Sequence, residues 1–268
     1  MTATPDVHTP ASFTGTGTIR NPATGDVAGE VRWTDPADVA HIAAGLRAAQ
    51  TEWAARGAKG RAKVLARYAV WLGEHRDEIE RLLIAETGKS AVDASQEVPL
   101  IIMIASYYIK TMEQALAPET RPAALPFMAI KKIAVHYRPR PVVGIIAPWN
   151  YPFLTAINTI VPALIAGNTV IFKPSEKPPA TAEFLVKCFH AAKVPEDVIQ
   201  LLIGGPEEGK ALVGHWLVDG VLFTGSARAG IAINRKLATE PGKIVALEMG
   251  GNNPIVPGDT PKLAEAAT

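Results

Sequence analysis

Pro141-Val142-Val143-Gly144-Ile145-Ile146-Ala147-Pro148-Trp149-Asn150-Tyr151-Pro152 is the stretch that decides the fold. A β-branched run that breaks at a proline reads as a buried strand ending in a tight turn. Apolar sequence continues from Phe153 to Phe172 but is interrupted by Asn158, Pro162, Gly167 and Asn168. That punctuation gives a buried helix, a turn and a second strand rather than a membrane span. The same rhythm runs on. Strands are expected at Val142–Ala147, Thr169–Lys173, Ile199–Ile203, Gly220–Thr224 and Ile244–Glu248, with helices between them at Phe153–Ala166, Ala180–Ala192, Glu207–Trp216 and Ala229–Ala238. Short strands buried on both faces and separated by helices specify a doubly wound parallel α/β sheet. Right-handed crossovers then carry every strand's C-terminal end to one edge, where such sheets hold their ligands. Trp149, Asn150, Lys173, Glu176, Gly205, Gly225, Ser226 and Glu248 all fall at that edge.

Upstream the chain is helical. Residues 1–17 read as a flexible arm, Thr/Pro/Gly-rich and without the apolar core of a signal peptide. Two short extended pieces, Thr18–Arg20 and Val27–Trp33, flank the turn Asn21-Pro22-Ala23-Thr24-Gly25. Asp35-Pro36-Ala37-Asp38 starts a helix, with Asp35 as cap, Pro36 at the first helical position and Gly57 as the stop. Helices follow at Lys59–Glu74, Arg76–Glu86 (ended by Gly88) and Ala91–Leu116. Pro118–Pro126 breaks the pattern, and the alternation in Ala129–Tyr137 reads as a strand projecting from the body. The expected units are an arm (1–17), an N-terminal helical part (18–117), the projecting strand (118–140), the sheet (141–250) and a further segment (251–268).

Composition narrows the function. The 268 residues are 48% apolar and 20% charged, enough to bury a large core. Lys plus Arg is 27 against 26 Asp plus Glu, so no charge excess points to nucleic acid or an anionic membrane. One cysteine excludes an internal disulfide and suits a reducing cytoplasm. That residue, Cys188, falls mid-helix and reads as a buried structural thiol. No Cys/His spacing suggests a metal site.

Five blocks at strand ends can carry chemistry. Asn150 offers a side-chain NH₂ to a developing oxyanion. Phe223-Thr224-Gly225-Ser226 joins a strand to a helix N-terminus, a natural anion site, although an ordinary βα turn has the same spacing. Lys173-Pro174-Ser175-Glu176 can share the hydroxyls of a ribose, or be a solvated pair at a helix start. A 2′-phosphate would be repelled by Glu176. Gly204-Gly205-Pro206-Glu207-Glu208-Gly209 permits close backbone approach or simply caps the next helix. Glu248, in Leu247-Glu248-Met249-Gly250-Gly251, is a general base if burial raises its pKa, or a salt-bridge partner otherwise.

Taken together and in this order, Pro148-Trp149-Asn150-Tyr151-Pro152, Lys173-Pro174-Ser175-Glu176, Phe223-Thr224-Gly225-Ser226 and Glu248-Met249-Gly250-Gly251 resemble the signatures of the aldehyde dehydrogenase superfamily. The resemblance runs from about Asn21 to Pro254. It implies a Rossmann-like sheet with an oligomerisation strand, oxidation of an aldehyde to an acid through a cysteine thioester, and a soluble homo-oligomer. Asn150 would hold the oxyanion and Glu248 would activate the hydrolytic water. Ile146, Pro148, Trp149, Lys173, Ser175, Glu176, Gly205, Gly209, Phe223, Thr224, Gly225, Ser226, Glu248, Met249 and Gly250 would contact or pack around the cofactor. That cofactor is NAD, with NADP possible; Glu176 leans toward NAD. The turn at Asn150 is similar to succinate-semialdehyde dehydrogenases. Asn252-Asn253-Pro254 is similar to succinylglutamate-semialdehyde dehydrogenases. The family's nucleophilic cysteine is expected beyond Thr268, so these residues alone are expected to lack turnover and to self-associate. The alternative is a stand-alone dinucleotide-binding or assembly module.

Overall fold

The structure, a computed structural model, describes residues 13–125, 130–251, 254 and 256. Residues 1–12 of the expected arm, Asn252 and Asn253, and most of the segment 251–268 lie outside the described residues.

Strand β1 (Phe13–Arg20) pairs antiparallel with β2 (Val27–Thr34). The first five residues of β1 fall in the stretch expected to be a flexible arm, which corrects that boundary. Their Thr/Gly composition carries no apolar alternation, because this ribbon buries little; Gly17 is needed where the Trp33 ring lies against it, 2.7 Å from where a Cβ would stand. Asp35 caps a short 3₁₀ turn, Pro36–Asp38, that leads into the first helix, its carboxylate accepting from Ala37 N at 2.9 Å. Helices α1 (Val39–Ala55), α2 (Gly57–Glu74), α3 (Arg76–Thr87) and α4 (Ala91–Ala115) follow; α1 starts three residues after the expected Pro36, and the others lie within two residues of their expected bounds.

Strands β3 (Glu119–Arg121) and β4 (Ile133–Val135) form an antiparallel hairpin. The strand expected over Ala129–Tyr137 is thus three residues long and has a partner, supplied by the proline-rich stretch. The prolines punctuate that stretch without preventing three residues between them from pairing. Residues 126–129 lie outside the described residues.

The remaining elements alternate: β5 (Val142–Ile146), α5 (Pro152–Ala166), β6 (Thr169–Lys173), α6 (Pro179–Ala191), β7 (Ile199–Leu201), α7 (Pro206–Gly214), β8 (Gly220–Gly225), α8 (Ala227–Leu237) and β9 (Ile244–Met249). Their five strands form one parallel sheet in the order β7-β6-β5-β8-β9. The chain steps outward from β5 in one direction and then returns to its other side, which creates a topological switch point beside β5.

Alternate residues of the central strands face opposite layers. Val143, Ile145, Val170 and Phe172 join a core with α2, α3, α4, α5 and α6. Val142, Ile171 and Val221 join a second core with Leu46 of α1 and Leu212 and Val213 of α7. Each fully buried Leu, Ile or Phe contributes about 1.5–3 kcal/mol. Helix α5, between the sheet and α4, is buried nearly all round. β9 departs from the expectation of a doubly buried strand: among the described residues it is an edge strand paired with β8 alone, and its residues are exposed or half-buried.

Three buried charges tie the helical layer together. Arg61 donates from Nε to Ile165 O at 2.8 Å and from Nη1 to Ala54 O at 2.6 Å, a cation placed at the carbonyl ends of both α5 and α1. Helices α5 and α6 begin at Tyr151-Pro152 and Pro178-Pro179, where neither has a capping side chain of its own. Distant carboxylates fill those places. Glu86 of α3 accepts from Ala180 N at 2.9 Å and from Thr181 N and Oγ1, both at 2.6 Å. Glu97 of α4 accepts from Phe153 N at 3.2 Å and Leu154 N at 3.1 Å.

Candidate functional site

The parallel sheet delivers the expected residues to one edge. Beyond β6, Lys173 is buried, and its ammonium donates to Pro174 O at 2.9 Å and to Gly204 O at 2.7 Å. Those bonds join the ends of β6 and β7 and occupy two of the three ammonium N–H groups. Burial holds the Lys173 pKa below the usual lysine value, while the Glu176 and Glu208 carboxylates act in the opposite sense. Glu176 is exposed, and its carboxylate makes no hydrogen bond among the described residues.

A cleft of about 680 Å³ opens here. Of the residues expected at a cofactor site it is lined by Ile146, Lys173, Glu176, Gly205, Gly209 and Phe223. Helix α7 contributes Pro206, Gly209, Lys210 and Val213, and α8 contributes Arg228, Ala229, Ala232, Ile233 and Lys236. The α7 set, and Ala229, Ala232, Ile233 and Lys236 of α8, follow the i, i+3, i+4, i+7 spacing of one helix face, a signal present in the sequence. Apolar walls carrying the charged side chains of Lys173, Glu176, Lys210, Arg228 and Lys236 suit a flat heteroaromatic ligand with a ribose. Gly209 adjoins the Lys173 stem, 3.5 Å from Cε to where its Cβ would be, so a larger side chain would narrow the cleft. Gly204 is closed in by Glu208, a buried carboxylate that sequence reading passed over.

Pro148, Trp149, Ser175, Thr224, Gly225, Ser226, Glu248, Met249 and Gly250 lie outside the lining of this cleft. Ser226 caps α8, its Oγ accepting from Ala229 N at 3.3 Å, which leaves its O–H free to donate. The space over Gly225 is taken by the Phe223 ring, and that over Gly230 by the Met249 side chain; a Cβ would come within 2.6 Å and 2.1 Å of them. Trp149 is half exposed beneath the Lys177 ammonium, which lies 4.3 Å from its ring centre. Glu248 is exposed on β9. The burial expected for it is therefore not found, β9 being the edge strand of the sheet among the described residues.

Asn150 is exposed in the turn between β5 and α5. Its Oδ1 accepts from Tyr151 N at 3.0 Å, and its carbonyl accepts from Lys89 Nζ at 3.1 Å. With Oδ1 engaged by the backbone, the amide NH₂ has no partner among the described residues. Cys188 is fully buried and its Sγ donates to Phe184 O at 2.9 Å; burial pushes its pKa far up, so it is no nucleophile. Among the described residues no cluster of His, Cys, Asp and Glu is placed to hold a metal, and no helix is long and apolar enough to cross a membrane.

A family model described as "Aldehyde dehydrogenase family" matches residues 10–268. The chain belongs to the aldehyde dehydrogenase family. Its sequence is 47% identical over 247 residues to the N-succinylglutamate 5-semialdehyde dehydrogenase of Novosphingobium aromaticivorans, covering 92% of this chain and 51% of that protein. It is 37% identical over 252 residues to the enzyme of the same name from Escherichia coli, covering 91% and 49%. The chain therefore spans about half the length of the curated relatives it matches. Among solved structures it is similar to an NAD-dependent benzaldehyde dehydrogenase from Corynebacterium glutamicum, with a TM-score of 0.83 and 32% identity over 91% of this chain and 53% of that one. A betaine aldehyde dehydrogenase from Staphylococcus aureus, solved in complex with NAD⁺, gives a TM-score of 0.82 and 29% identity over 88% and 46%.

Proposed function

We propose that these residues form the dinucleotide-binding part of an enzyme that oxidises a semialdehyde to the acid, with NAD preferred over NADP. The observation that carries this reading is the pairing of Lys173, with one N–H unspent, and Glu176, whose carboxylate makes no hydrogen bond among the described residues, on one cleft between α7 and α8. An ammonium and a carboxylate side by side can donate to and accept from adjacent ribose hydroxyls. Val213 and Ile233 provide apolar surface for the adenine, and Ser226 with the first turn of α8 offers N–H and O–H donors to the pyrophosphate. The nicotinamide, when bound, supplies a hydride acceptor.

In this reading Asn150 Nδ2 donates to the oxyanion that forms when a thiolate adds to the aldehyde carbonyl. Cys188 does not supply that thiolate. Glu248 takes a proton from the water that hydrolyses the thioester, and its exposure on β9 leaves it reachable. The names of the curated relatives favour a semialdehyde, and N-succinylglutamate 5-semialdehyde first among them.

The test is dinucleotide reduction by the intact gene product, with N-succinylglutamate semialdehyde and succinate semialdehyde offered separately. An aldehyde-dependent rise in reduced dinucleotide, lost on Asn150→Ala, is expected. Dinucleotide binding with no turnover on any aldehyde would instead favour the binding or assembly module.

A further inference from the structure

We infer that Lys89 and Glu97 are positioning residues for the Asn150 amide. The inference rests on the reading of Asn150 as the oxyanion donor. Glu97 is fully buried and has both carboxylate oxygens engaged. Oε1 accepts from Phe153 N and Leu154 N, at 3.2 and 3.1 Å, the first turn of α5. Oε2 accepts from Lys89 Nζ at 2.6 Å. The same ammonium donates to Asn150 O at 3.1 Å and lies 4.5 Å from the centre of the Tyr151 ring.

One carboxylate and one ammonium therefore hold the turn from both ends. The ammonium grips the Asn150 carbonyl and the Tyr151 ring; the carboxylate grips the amides of residues 153 and 154. Between these grips lies Tyr151 N, which donates to Asn150 Oδ1 at 3.0 Å and so decides which way the side-chain amide faces. Tilting the 150–151 peptide would tilt that bond and swing Nδ2. An ion pair buried at this depth is a weak source of net stability, since desolvation offsets most of its attraction. A role in fixing geometry accounts for its placement: Lys89 stands on the short link after α3 and Glu97 on α4, so the turn is braced against the rigid helical layer. An oxyanion donor works only if its N–H is held where charge will develop.

The experiment uses the intact gene product with Lys89→Met, Lys89→Arg, Glu97→Gln and Asn150→Ala. Two readouts are taken: the mobility of the Asn150 side-chain NH₂ by ¹⁵N relaxation, and kcat and KM separately. Lys89→Met should mobilise the Asn150 amide and lower kcat by up to about 10²-fold with KM nearly unchanged. Asn150→Ala should lower kcat on the order of 10²-fold. Lys89→Arg, which keeps a cationic donor, should restore much of both signals. Glu97→Gln should raise hydrogen exchange at Phe153 and Leu154 and loosen the Asn150 amide. Dinucleotide affinity reports folding in every variant, since Lys89 and Glu97 lie away from the cleft lining. An Asn150 amide as rigid in Lys89→Met as in the parent overturns the inference, as does an unchanged kcat in a variant whose amide has become mobile. If Asn150→Ala itself leaves the rate intact, the reading of Asn150 as oxyanion donor fails, and with it the catalytic part of the inference; the relaxation data still decide whether Lys89 holds the turn.

Discussion

The two halves of the sheet are built to different standards. On one side β6 is buried at every residue, and α5 lies between it and α4 with hardly any surface. On the other, β9 is an edge strand of exposed and half-buried residues, and α8 buries only Gly230 and Leu237. The closed half spends its buried charges on helix ends: Arg61 on two C-termini, Glu86 and Glu97 on two N-termini. The open half leaves Glu248 exposed on its edge strand, and Glu176 stands at the cleft just beyond the end of β6. Rigidity and reactivity are thus divided along the sheet, and Lys173, at the end of β6, stands where the two meet.

Breaking the closed half should cost most. Arg61→Met removes the donor of two helix C-termini and leaves the Ile165 and Ala54 carbonyls without it. A loss of about 3 kcal/mol is expected, read from chemical denaturation, because each buried acceptor left bare costs about 1–3 kcal/mol. A loss near zero would show that water replaces the guanidinium.

Glu86 sharpens the comparison through pH. Burial raises its pKa above the ordinary glutamate value, and the bonds from Thr181 and Ala180 only partly offset this. A carboxyl whose folded pKa is raised stabilises the native state most below its unfolded value of about 4.3, and that contribution is lost as pH climbs through the folded value. The parent should therefore lose stability relative to Glu86→Gln as pH rises across that window. Parallel stability–pH curves would contradict the assignment.

The open half should tolerate change. Ile244, 44% exposed on the edge strand, is expected to accept Thr at a cost within about 0.5 kcal/mol by thermal melting. A larger loss would mean that something covers β9 in solution.

Helices, strands and the glycine stops at Gly57 and Gly88 were legible because each rests on local periodicity and turn chemistry. So was the gathering of Lys173, Glu176, Gly205 and Gly209 at one edge, since a parallel sheet permits no other arrangement. What escaped depends on partners far apart in the chain. Glu97 meets Phe153 across 56 residues and Arg61 meets Ile165 across 104, and no window of sequence shows either. The exposure of Glu248 escaped for a related reason: its β-branched neighbours Ile244 and Val245 fit an edge strand as well as a central one. β3 was hidden by the prolines around it.

The central claim is that the cleft between α7 and α8 binds a dinucleotide through Lys173 and Glu176. Calorimetric titration of the intact gene product with NAD and NADP tests it most directly, on the parent and on Glu176→Gln. NAD should bind at least about tenfold more tightly, because a 2′-phosphate meets the Glu176 charge, and the glutamine variant should narrow that gap. Equal or tighter binding of NADP to the parent, or a ratio indifferent to Glu176→Gln, would contradict the account.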